Sequence, residues 1–169
     1  EIDQLVALLS EIEVLVQSNA STITANQGLT VVSWARPAEN GLPLGGETVA
    51  EYRAILRNGE YTCILRDGAV IQITYVIKGN KLLKHRFCWI PSPVVVDRED
   101  VKETALAELI DQSLLDAGLS VLDDEAGDDL LLVAPVRFDY DPDARHDDHA
   151  ACHLTFNRSS CRVPVFGPL

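Results

Sequence analysis

"EYTCILRDGAVIQITYVIKGNKLLKHRFCWIP", residues 60–91, decides the fold class. Three runs rich in β-branched and aromatic residues are separated by Asp67-Gly68 and Gly79-Asn80. Both dipeptides are hairpin signals, because a tight turn between strands needs residues that tolerate positive φ. The stretch therefore predicts three antiparallel strands near 60–66, 69–78 and 81–90, stopped by Pro91 and Pro93. Pro has no amide hydrogen to offer a ladder.

Helices are expected on either side of this meander. Residues 1–18 place Ile2, Leu5, Val6, Leu9, Ile12, Leu15 and Val16 on one stripe, which predicts a single amphipathic helix. The polar stretch 19–28 reads as loop and "LTVVSWA" (29–35) as a strand. "ETVAEYRAILRNG" (47–59) reads as a short helix closed by Gly59, and residues 97–118 as another, capped near Asp97 and closed by Gly118. The acidic run "LSVLDDEAGDD" (119–129) lacks the spacing of a calcium loop and reads as solvated loop. Further strands are predicted across 129–166. The expected fold class is α+β: one antiparallel sheet, a meander plus C-terminal strands, with helices packed on one face and the other open for a site.

At 169 residues the chain has the length of one domain, and residues 1–169 are read as a single α+β domain. It contains no Met, and "FGPL" at its end reads as the opening of a further helix, so a fragment of a slightly longer chain is expected. Twenty-six acidic against fourteen basic residues give a formal charge of −12, which argues against non-specific nucleic-acid binding. Any nucleic-acid contact has to use a local basic site, and "KGNKLLKHR" (78–86), read as a small positive edge, is the one basic cluster. No apolar run approaches the roughly 20 residues of a membrane helix, so no membrane association is expected. The opening does not read as a secretory signal, and four cysteines without CxxC spacing fit a reducing compartment; a cytoplasmic protein is expected.

Chemistry, if any, concentrates in "DARHDDHAACHLTFNRSSCR" (143–162), which holds three of the four histidines and two of the four cysteines. Side chains alternate along strands. If Phe138, Tyr140, Leu154, Phe156, Val163 and Val165 line the core, then Arg137, Asp139, His153 and Arg162 share the opposite face. In a catalytic reading His149 and His153 act as general acid and base, Arg137 and Arg162 bind an anion, and Asp139 orients a histidine. A metal reading draws on His146, His149, Cys152 and His153. The closed-site spacings are missing, however, so no metal and no cofactor is expected. In the bland reading the histidines and arginines pair with nearby backbone and carboxylates.

Taken in order, "GEYTCILRDGAVIQITYVIKGNKLLKHRFCWIPSPV" (59–94), "RFDYDP" (137–142), "HAACHLTF" (149–156) and "CRVPVFGPL" (161–169) resemble a prokaryotic family catalogued as domain of unknown function 2290. The resemblance covers most of the chain after about Thr48. The family's turn usually reads His-Pro followed by Ser-His; Ala150 and Cys152 stand here in place of Pro and Ser, while His149, His153, Arg137, Asp139 and Arg162 match. The resemblance implies no established activity. The strand–Asp–His–His ending is also similar to that of small toxins from some toxin–antitoxin pairs. The expectation is a partner-binding component of a phage-defence or toxin–antitoxin type system, bound to another protein or to a second copy. The alternative is a small nuclease-type enzyme using His149 and His153 with Arg137 and Arg162.

Overall fold

In a computed structural model of the protein, residues 1–34, 48–96, 105–116, 135–144, 150–156 and 161–165 are described. The meander is the centre of the sheet. Strands β4 (Cys63–Leu65), β5 (Val70–Lys78) and β6 (Lys81–Ile90) follow the two hairpin dipeptides, and Gly68 and Gly79 take the positive φ those turns require. The β5–β6 ladder runs antiparallel from Val70↔Ile90 to Lys78↔Lys81, with one irregularity at Val76/Ile77.

Among the described residues the sheet has nine strands. Its path is β1 (Leu15–Ser18), β4, β5, β6, β7 (Val136–Tyr140), β8 (Cys152–Phe156) and β9 (Arg162–Pro164). A hairpin of β2 (Ser21–Asn26) and β3 (Leu29–Trp34) joins through β3, which also pairs with β5. Every pairing is antiparallel, so the protein has an α+β fold built on a single open antiparallel sheet.

Three expectations need correction. Residues 1–18 are not one helix: α1 spans Ile2–Glu11, Glu13 turns the chain at φ 57, and Leu15–Ser18 become β1. The apolar stripe does continue at helical spacing, but Val14-Leu15-Val16 also suits a strand, and pairing Leu15 with Leu65 on the free edge of β4 wins. The stretch 19–28 is not loop: Ser21–Asn26 pairs residue by residue with β3 across a turn at Gln27-Gly28, both at positive φ. That is the geometry preferred in two-residue hairpins.

The helices also lie on both faces of the sheet rather than one. Helices α2 (Val49–Asn58) and α3 (Leu106–Asp116) bury Tyr52, Ile55, Ile110 and Leu114 against Val70, Cys88 and Ile90. On the opposite face Ile2, Leu5, Val6 and Leu9 of α1 pack on Ile71, Ile73, Phe87 and Trp89. The reason is visible in β5. Val70-Ile71 and the Ile and Tyr that follow supply apolar side chains to both sides, as in a strand covered twice. Thr48 caps α2 in a reciprocal capping box with Glu51, and Gly59 ends the helix in the left-handed region, as expected. The expected cap at Asp97 and the acidic run at 119–129 lie outside the described residues.

Candidate functional site

The C-terminal strands line up two rows of side chains on the α2/α3 face. One row crosses Thr74, Arg86, Asp139 and His153; the next crosses Gln72, Cys88, Arg137, Thr155 and, in register, Arg162. Alternation thus brings Arg137, Asp139 and His153 together, as expected, and places the Arg162 backbone in the same row as Arg137.

Asp139 is the hub. Its Oδ1 accepts a hydrogen bond from Arg86 Nε and its Oδ2 one from Arg137 Nε, each at 2.7 Å. His153 Nε2 stands 3.5 Å from the same Oδ2. His153 Nδ1–H donates to the Ala150 carbonyl at 3.1 Å, which fixes the ring on the turn that leads into β8. The side chains of Asp139, Arg86 and Arg137 are 9%, 14% and 15% exposed, so the ion cluster is largely removed from water. Burial pushes the Asp139 carboxyl up, but the charges of Arg86 and Arg137 and the hydrogen bonds they donate outweigh it, and the net shift is downward. Asp139 is therefore an anion held by two guanidinium groups.

Arg86 was not among the expected site residues. The signal existed: in "KHRFCW" alternation sets Lys84, Arg86 and Cys88 on one face and His85, Phe87 and Trp89 on the other. The positive edge expected of "KGNKLLKHR" is not an edge: β6 lies between β5 and β7, and its charges meet an acidic neighbour. Lys84 Nζ donates to Asp141 Oδ2 at 2.7 Å, one step along the ladder from the Arg86–Asp139 bond.

Two residues of the expected metal set are described. Cys152 pairs with Tyr140 and His153 with Asp139, so these neighbours project from opposite faces of β8 and do not share one ion. Burial pushes the Cys152 thiol up. His146 and His149 lie outside the described residues, as does the Arg162 side chain. Among the described residues no three His, Cys, Asp or Glu side chains form a metal-binding group.

The opposite face of the same strands carries the apolar alternates. Val136, Phe138, Leu154, Phe156 and Val163 stand in adjacent register there. Phe138 is buried, but Phe156 is 39% and Val163 47% exposed. The apolar packing of α1 reaches β6 and does not include this strip.

The model of the family described as uncharacterized conserved protein (DUF2290) matches residues 14–169. The chain belongs to the DUF2290 family. No curated protein and no solved structure matches it. The DUF2290 match takes in the whole Arg86–Asp139–Arg137–His153 cluster and the apolar strip, whereas α1 precedes it. Among the described residues no helix is long and apolar enough to cross a membrane.

Proposed function

We propose that this DUF2290 protein is a partner-binding component and that the strip of Leu154, Phe156 and Val163 is where the partner docks. The observation that carries the reading is the exposure of Phe156 and Val163 on a sheet face that α1 leaves uncovered. Neighbouring large apolar side chains open to water mark interaction surfaces. The charge of −12 selects the occupant. Two copies would repel, whereas a basic protein is attracted, so the partner is a different, basic chain. A phage-defence or toxin–antitoxin type system supplies such pairings, and the genes flanking this one are the first place to look for the partner.

The test combines sedimentation with capture from the native host. The wild type should sediment as a monomer and retain a basic protein that elevated salt releases. Phe156→Asp with Val163→Asp should lose that protein while keeping the wild-type circular dichroism spectrum. A dimer that these substitutions split would replace the partner by a second copy. Equal capture by both forms would remove the strip from consideration.

A nuclease-type reading with His149, His153, Arg137 and Arg162 draws on one observation. The Thr155 hydroxyl is buried, has no hydrogen-bond partner among the described residues, and stands opposite Arg137. A phosphate oxygen would give this hydroxyl a partner beside a guanidinium that already binds Asp139. This reading expects His153→Ala and Arg162→Ala to abolish cellular activity at temperatures where each variant is still folded, since His153 is buried and its loss also costs stability.

A further inference from the structure

Strand β6 pairs with β5 along its whole length, so β3 and β4 share the other side of β5. Outside them lie β2, paired with β3, and β1, paired with β4; among the described residues neither has a second partner. These two strands form the margin of the sheet opposite to β9. The chain along that margin, "LVQSNASTITAN" (15–26), contains no charged residue and no proline.

An unpaired strand edge offers a row of free N–H and C=O groups, and proteins commonly blunt it with charge, proline or a bulge. At the other margin β9 is three residues long and includes Arg162 and Pro164. On the near margin β1 is interrupted by a bulge between Leu15 and Gln17. β2 has none of these devices. Its six residues pair with β3 without a break, from Ser21↔Trp34 to Asn26↔Leu29, so its outer side is a regular edge. Ile23, Thr24 and Ala25 are all exposed, and since Thr24 points to the opposite face from its two neighbours, neither face of this segment is covered.

Charge selects the occupant. Residues 2–34 hold Asp3, Glu11 and Glu13 and neither lysine nor arginine. Asp3 stands on the margin itself, where its Oδ1 accepts a hydrogen bond from the exposed Ser21 hydroxyl at 2.8 Å. Lys78 and Lys81 lie behind β3, at the end of β2 away from Ser21. A second copy would bring like charges together along this margin, whereas a basic strand would meet opposite charge.

We infer that the outer edge of β2 is a strand-addition site for an extended basic segment of another protein. The segment runs antiparallel to β2, with an apolar residue opposite Ile23 and a lysine or arginine opposite Ser21, beside Asp3. Main-chain hydrogen bonds supply the affinity in this mode of recognition, and the facing side chains select the sequence. The site does not depend on the docking strip, which lies on the other side of the sheet at β8 and β9.

The test uses the whole chain and a blocked hexapeptide that alternates threonine and valine and ends in lysine. In the antiparallel register its valines stand opposite Ala25 and Ile23 and its lysine opposite Ser21. The readouts are NMR shifts and hydrogen exchange of the backbone amides. The peptide should saturate shifts at Ile23 and Thr24 and slow exchange in β2, and it should do the same in Phe156→Asp with Val163→Asp. The same peptide with glutamate for lysine should bind more weakly, and Asp3→Asn should weaken the lysine peptide by about two- to fivefold, the worth of one exposed ion pair. Two further peptides carry N-methyl groups on alternate residues, one in each phase. The phase that blocks the N–H groups facing β2 should not bind, while the other should. Absence of saturable shifts in β2 overturns the proposal, as does equal binding of the two N-methylated peptides or of the lysine and glutamate peptides. Shifts centred on β8 and β9 would assign the peptide to the strip instead. Concentration-dependent shifts at β2 without peptide would put a second copy on this edge and overturn the choice of occupant.

Discussion

Replacing Asp139 by Ala separates a structural cluster from an exposed ion pair. The carboxylate accepts two charged hydrogen bonds at 2.7 Å, from Arg86 and Arg137, with all three side chains at most 15% exposed. Asp139→Ala leaves two buried guanidinium groups without that counter-charge, for which a loss of about 3–5 kcal/mol is expected. In a chain of this length that lowers Tm by roughly 6–20 °C. Lys84→Ala is the internal comparison. It breaks a 2.7 Å bond between β6 and Asp141, the residue that follows β7, but Lys84 is 37% exposed, and the expected loss is below about 1 kcal/mol. The assay is urea unfolding followed by fluorescence, with Trp34 fully buried as the reporter. The combined change Arg86→Met, Arg137→Met, Asp139→Leu should recover most of the stability, since no buried charge is then left alone. Acid supplies a second check. The folded Asp139 carboxyl titrates below its unfolded value of about 3.9, so its contribution is present above that pH and is lost as pH falls through the folded pKa. The gap between the wild type and Asp139→Ala should close there. Equal losses for Asp139→Ala and Lys84→Ala, or a gap that persists in strong acid, would refute the reasoning.

Three further outcomes are expected. His85 is held neutral by burial, so its contribution is present above the unfolded pKa of about 6.5 and is lost as pH falls below it; unfolding of His85→Phe should depend less on pH between about 6.5 and 5 than that of the wild type. Gly68→Ala should cost about 2–3 kcal/mol and Gly79→Ala about 1–2 kcal/mol in urea unfolding. Both glycines have positive φ, but only at Gly68 would a Cβ meet Ser92 at 2.9 Å and Val96 at 3.0 Å, whereas Gly79 has open space. With a thiol reagent on the native protein, Cys161 should react at once, and Cys63, Cys88 and Cys152 only after unfolding, because these three are buried and burial pushes the Cys88 thiol up to about 12.

The legible part of the fold was the part written in turn chemistry. Asp67-Gly68 and Gly79-Asn80 each mark a place where only a few residue types fit, and the meander follows from them. Gln27-Gly28 closes an equivalent hairpin, but its strands are "STITAN" and "LTVVSW", and the first is polar enough to pass for loop. That strand is held by β3 rather than by apolar alternation; Ile23, its one large apolar residue, is 73% exposed. Residues 12–18 failed for a different reason. Their pattern fits both a helix and a strand, and the choice is made by the free edge of β4, which lies some fifty residues away.

The candidate site followed the same logic with one consequence for function. Period-two alternation was enough to gather Arg137, Asp139 and His153, because each is bracketed by residues the opposite face buries or displays. It was not enough to say what they do there, since that depends on Arg86, which arrives from a strand some fifty residues earlier. With Arg137 alone, Asp139 forms one ion pair in a row that still has an acceptor to offer. With Arg86 as well, both carboxylate oxygens are engaged, and the row becomes a clamp between β6 and β7. The clamp holds β7 in register, and a one-residue slip of β7 would exchange its two faces. Phe138 would then leave its place beside His85, and the side chains pairing with Leu154 and Phe156 would turn to the other side. The polar row and the apolar strip are thus two faces of one register, and a substitution that loosens the first should also blunt the partner docking proposed for the second.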